Sequence, residues 1–132
     1  MKNIILIFTL FLLNNISAQN IVGKWKCIAN YTSFDNKKTN MEDALHQSKP
    51  CTKNTIYEFQ TDGKIIRTFS ACDVKYVETQ NKLWKNQKWK LDGNTIKTSV
   101  TNFSLFREYT ISFLGNKMTW TNKDETMVYQ KL

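Results

Sequence analysis

The sequence predicts an all-β fold: an eight-stranded antiparallel up-and-down barrel with one short helix in its first long loop. Two observations carry the prediction. Turn signals recur at short intervals, at Thr61-Asp62-Gly63, Leu91-Asp92-Gly93-Asn94, Leu114-Gly115-Asn116 and Asn122-Lys123-Asp124, each between β-branched and aromatic runs. Between the turns, apolar and polar residues alternate with the period of a strand whose one face is buried and whose other face is wet. Reading outward from the turns gives strands over residues 23–30, 55–60, 64–71, 83–91, 95–100, 105–113, 117–121 and 126–131. Sequential strands of that kind close most economically into a barrel, which leaves no free edge.

Each strand has its own inward set. The first carries Trp25, Cys27 and Ala29, the second Tyr57 and Phe59, and the fourth Trp89 and Leu91. Tyr109 and Ile111, Met118 and Trp120, and Met127 and Tyr129 continue the apolar face, while Lys24, Lys26, Glu58, Lys88, Lys90, Thr119 and Gln130 line the wet one. Residues 32–50 form a long polar connection, in which Thr39-Asn40-Met41-Glu42 matches a capping box and predicts a helix near 40–47. That segment would lie across one mouth, either as a lid or as a solvated loop. Residues 73–82 lack a clear period and are expected to link strands three and four.

The chain divides at its start. Met1-Lys2 is a positive beginning, Ile4 to Leu13 an apolar run and Ile16-Ser17-Ala18 a small-residue exit, so residues 1–18 read as a secretory signal peptide cut between Ala18 and Gln19. The run is about ten residues, against the ~20 that span a bilayer. The mature domain, residues 19–132, is then expected to be exported, periplasmic or secreted, monomeric and without an integral membrane segment. A chain of that size buries roughly two thirds of its unfolded surface, enough for one core. In an oxidising compartment two of Cys27, Cys51 and Cys72 can pair. Cys51 and Cys72 bracket the hairpin of strands two and three, which brings them together, so they are expected to bond. Cys27, on the inward face of the first strand, is expected to stay a free, buried thiol.

Composition narrows the chemistry. Of 19 basic residues only Arg67 and Arg107 are arginine, and there is one histidine, His46. The formal charge of +8 is therefore a lysine-rich surface rather than a clamp for phosphate, for which Arg is better suited. Neither a Gly-rich phosphate loop nor a set of metal ligands with characteristic spacing is present, so no cofactor or metal is expected.

Gly23-Lys24-Trp25 resembles the Gly-x-Trp opening of lipocalins, and the pattern that follows is similar to the bacterial lipocalin-like domains. It comprises Cys51, Tyr57-Glu58-Phe59, Asp62-Gly63, Cys72, Lys88-Trp89-Lys90-Leu91-Asp92-Gly93-Asn94, Tyr109-Thr110-Ile111 and Met127-Val128-Tyr129, and covers nearly all of residues 21–132. The resemblance implies a small calycin-type barrel in an exported bacterial protein and, by analogy, a cavity for a small apolar or amphipathic ligand. It also implies that Trp25 packs structurally at a closed barrel end.

Tyr57, Trp89, Tyr109, Trp120 and Tyr129 either line such a cavity or fill it, since an eight-stranded barrel sits at the size where both occur. Ile65-x-Arg67-x-Phe69 and Leu105-x-Arg107-x-Tyr109 place both arginines in phase with inward residues. Either guanidinium would then bind the head group of an anionic ligand, or it would turn outward to Glu58 or Glu108. A different class of function rests on Lys82, Trp84, Lys85, Lys88, Trp89 and Lys90, which interleave charge and aromatics as polyanion-binding surfaces do. Export argues against nucleic acid, leaving an envelope structural or polyanion and protein interaction module as the alternative. An enzyme is not expected: His46 with Glu42 and Asp43 on one helical face reads as a surface contact, and no catalytic residue is assigned.

Overall fold

The computed structural model describes residues 16–132; residues 1–15 of the expected signal peptide, residues 1–18, lie outside the described residues. Strand β1 (Gly23–Phe34) is followed by β2 (Lys37–Asn40), helix α2 (Met41–Ser48), β3 (Ile56–Phe59), β4 (Ile65–Thr68), helix α3 (Val74–Trp84), β5 (Lys88–Asp92), β6 (Thr95–Ser99), β7 (Arg107–Leu114), β8 (Lys117–Thr121) and β9 (Glu125–Lys131). A short turn of helix, α1 (Ala18–Ile21), precedes β1. Eight strands run in the order β4-β3-β1-β9-β8-β7-β6-β5, every pair antiparallel, with β2 attached only to β1. The ring is nearly closed by one bridge between β4 and β5, in which Trp89 N–H donates to Gly63 O at 2.8 Å and Ile65 N–H to Gln87 O at 3.0 Å. The expected up-and-down barrel is the fold.

Its two ends differ. At the lower end the interior is filled by Ile21, Trp25, Phe59, Ile65, Trp89, Ile96, Ile111 and Met118, all buried. Phe59 centres this packing, with its ring edge-on to Trp89, Trp120 and Tyr129 at centroid distances of 6.2, 5.6 and 6.1 Å. Trp25 Nε1 donates to Ile21 O at 2.7 Å, so α1 plugs this end. Trp25 is therefore a closed-end packing residue, and Gly23 at the strand's start has a φ of +134°, a conformation other residues rarely adopt.

At the upper end lie the helices. Asn40, rather than Thr39, caps α2, its Oδ1 accepting from Glu42 N–H at 3.2 Å and from Asn30 N–H at 3.1 Å. A disulfide joins Cys51 to Cys72, and beside it Lys49 Nζ lies 3.1 Å from Asp73 Oδ2 and 4.2 Å from the centre of the Tyr76 ring. Cys27 is free and buried.

Three expectations require correction. The strand predicted over 83–91 begins only at Lys88, and α3 occupies Val74–Trp84 where a link was expected. Asp73 caps α3 by accepting from Tyr76 N–H at 2.9 Å, and Tyr76, Val77, Gln80 and Trp84 are its half-buried face. The face is narrow and half polar, which leaves little hydrophobic period to read. The first strand is longer than predicted, because Asp35 and Asn36, at φ of 50° and 59°, make a two-residue turn into β2 inside the expected loop.

Candidate functional site

The upper half of the barrel is a cavity of about 600 Å³, half open to solvent, within the size range of small-molecule sites. Its floor and walls are aromatic: Tyr57 from β3, Tyr109 from β7, Trp120 from β8 and Tyr129 from β9. Strand alternation is what aims them inward, since each lies two positions along its strand from another inward side chain, such as Phe59, Ile111, Met118 or Met127. Burial pushes the Tyr57 and Tyr129 hydroxyls well above their ordinary range. Tyr109 rises to about 12, first through burial and then through its bond to Glu125. All three are neutral phenols at physiological pH.

Arg67 enters this wall from the end of β4. Its guanidinium lies 3.5 Å from the centre of the Trp84 ring and 4.9 Å from that of Tyr57, and its Nε donates to Gln87 Oε1 at 3.0 Å. Trp84 and Gln87 come from the end of α3 and the segment before β5, across the seam where the β4 and β5 backbones part. The ion pairs among the described residues are His46 with Glu42, Lys49 with Asp73, Lys64 with Asp62 and Arg107 with Glu125. Arg67 is in none of them. A guanidinium in an aromatic cavity with no carboxylate within 4.0 Å is held in place by stacking and one amide. Glu42, on the same cavity lining, is the acid that acts on it through space, and the guanidinium's terminal nitrogens lie outside any ion pair among the described residues.

Arg107 lines the cavity rim rather than its depth. Its side chain is 70% exposed and its Nη1 lies 2.9 Å from Glu125 Oε1, while the Tyr109 hydroxyl donates to Glu125 Oε2 at 2.9 Å. The partner is thus Glu125, not the expected Glu58 or Glu108. Trp89, a candidate for the cavity wall, sits below it instead. It packs on Phe59 with its backbone in the β4–β5 bridge, and it is absent from the lining. Trp84 and Trp89 also do not form a common surface with the lysines around them, since Trp84 is under Arg67 and Trp89 is in the core.

Glu42 is one of the cavity residues that sequence reasoning missed, with Asn30, Trp84 and Gln87. It faces inward from α2, is only 7% exposed, and has Oε1 3.2 Å from His46 Nε2. Burial raises its carboxyl above the ordinary value, against the opposing pull of His46. The signal was there: helix positions 42 and 46 share a face with one another, and the inward turn of that face decides that the pair is not a surface contact. Beneath it, burial, and next the Glu42 carboxyl, hold the Cys27 thiol far above its usual range, so it is a neutral wall atom and a poor nucleophile. Trp120, 2% exposed and on the cavity wall, has an indole N–H with no partner among the described residues. Among those residues no group of three His, Cys, Asp or Glu converges as metal ligands do. What the walls offer is hydrogen bonding, aromatic surface, the buried Glu42 carboxyl and, in Arg67, one cation outside any ion pair among the described residues.

No family model, curated protein or solved structure matches the chain.

Proposed function

We propose that this chain is an exported, monomeric, lipocalin-like binding protein that holds a small amphipathic anion in the upper half of its barrel. The observation that carries the reading is Arg67. An inward guanidinium costs free energy unless an anion meets it, and the stacking on Trp84 and Tyr57 fixes it where a carboxylate or similar head group would arrive. Gln87 occupies Nε, which leaves the two terminal nitrogens as a fork for a bidentate acid. Tyr57, Trp120, Tyr129 and Met127 supply the apolar surface for a short tail. Arg107, already paired with Glu125, is assigned to the rim.

Export is supported by the leader-like residues 1–18 and by the Cys51–Cys72 disulfide, which persists in oxidising compartments. No helix among the described residues is long and apolar enough to cross a membrane. Binding rather than catalysis suits a cavity whose thiol and phenols are all held neutral.

Non-reducing native mass spectrometry tests the proposal on protein recovered from a secreting host grown with a mixture of medium-chain carboxylates. An adduct of acidic amphiphile mass that is lost on denaturation is expected. Protein that carries none after that exposure contradicts a carrier of this class and turns the search to envelope partners.

A further inference from the structure

The mouth of the cavity carries a surface that the binding reading does not use. The loop between β6 and β7 presents Leu105, Phe106 and Val100 at 74%, 49% and 42% exposure. These side chains border the opening of the cavity, and Leu83, exposed on the last turn of α3, stands on the neighbouring element. A shared recess lined by Asn86, Lys88, Val100, Thr101 and Asn102 joins the segment after α3 to the loop. The loop is tied together by its own polar groups. Ser99 Oγ accepts from the Thr101 and Phe103 N–H groups at 3.0 Å each and donates to Leu105 O, while Thr101 Oγ1 accepts from Leu105 N–H at 2.9 Å. Asn102 and Phe103 take positive φ to close the turn.

Cations ring this tip. Lys90 Nζ lies 4.0 Å from the Phe103 ring centre, Lys97 Nζ 4.8 Å from that of Phe106, and Lys88 Nζ bonds Asn102 Oδ1 at 3.1 Å. None of the three is in an ion pair among the described residues, and Lys82 and Lys85 flank Trp84 at the end of α3. An internally hydrogen-bonded apolar tip surrounded by lysines outside any ion pair among the described residues matches the boundary of an anionic bilayer, with side chains entering the acyl region and ammonium groups at the head groups. A polyanionic glycan would use the lysines and leave the apolar tip in water, so the combination favours lipid.

We infer that the open end of the barrel docks on an anionic lipid surface through Val100, Leu105 and Phe106, with Lys88, Lys90 and Lys97 as its charged collar. The cavity mouth then faces the bilayer. Docking itself does not depend on what the cavity holds.

Co-sedimentation with large vesicles of 3:1 phosphatidylcholine and phosphatidylglycerol tests this, on protein from a secreting host whose N-terminus is read by intact mass. Binding is expected to weaken steeply with added salt and to be lost on pure phosphatidylcholine. Leu105→Ser with Phe106→Ser should weaken it by roughly tenfold or more, and Lys90→Gln and Lys97→Gln by about fivefold each. Thermal melts of these surface variants report that the barrel is intact. Equal binding to neutral vesicles overturns the inference, as does binding indifferent to both sets of substitutions, the behaviour of an apolar leader still attached. Capture by heparin with no vesicle binding overturns it in favour of a glycan surface.

Discussion

Breaking the Cys51–Cys72 disulfide with Cys51→Ser and Cys72→Ser should lower stability without changing the fold. The bridge closes a loop with a sequence separation of 21 residues, and loop-closure entropy for that length amounts to about 3.3 kcal/mol at 25 °C. With an unfolding entropy of roughly 2.1 cal/mol/K per residue over the described chain, that corresponds to a Tm about 13 °C lower. The substitution touches nothing in the filled lower half, whose core is built from α1, β1 and β3 to β8. Scanning calorimetry of the oxidised parent and the double variant measures the difference, and far-ultraviolet circular dichroism checks that the strands persist. A drop of only about 3 °C would refute the reasoning. It would mean that residual structure in the unfolded chain limits the loop without the bridge.

Other consequences follow from the same geometry. Glu42 has a folded-state pKa raised above 4.5 by burial, so the folded protein holds that proton more tightly than the unfolded chain. Its contribution is full below about pH 4.5 and is lost as pH rises through the folded value. Glu42→Gln should therefore gain Tm over the parent at about pH 8 and not at about pH 4; a difference that stays constant with pH contradicts this. Phe59→Ala removes the ring that Trp89, Trp120 and Tyr129 pack upon and should cost about 3–5 kcal/mol in urea denaturation. A loss below about 1 kcal/mol would show that the lower core is loosely packed. Trp25→Phe leaves Ile21 O without its donor at the closed end and should cost about 1–3 kcal/mol by the same method. No measurable loss would mean that water reaches that carbonyl.

The number of barrel strands, barrel closure, the inward set apart from Ala29 and the disulfide were legible because each rests on local signals that the fold does not override. Turns such as Asp62-Gly63 and Asp92-Gly93 mark hairpins, and period-two alternation fails only at the register shift between Cys27 and Ala29. After it Ala29 pairs with outward Val128, and Asn30, paired with Met127, lines the cavity in place of the expected Ala29. What was illegible depended on tertiary placement. Helix α3 buries no residue fully, so its pattern is weak and Asp73 is its clearest mark. Glu42 looks like a solvated helix residue until α2 is laid against β1. The two arginines have the same x-Arg-x-aromatic signature, and only depth along the barrel separates them. Arg67 meets the seam where β4 and β5 part, whereas Arg107 opens β7 at the rim and finds Glu125 across on β9. Trp89 alternates as the other aromatics do, but its position in the β4–β5 bridge puts it below the cavity.

The most direct test of the account is a calorimetric titration of the parent and of Arg67→Met with dodecanoate and with dodecan-1-ol, which share a tail and differ in the head group. If Arg67 is the anchor, the parent prefers dodecanoate by roughly 10- to 100-fold, as a charge-assisted hydrogen bond of about 1.5–3 kcal/mol requires, and the variant loses that preference while still binding the alcohol. Binding of neither ligand by the parent, or a preference for dodecanoate that survives Arg67→Met, would contradict it.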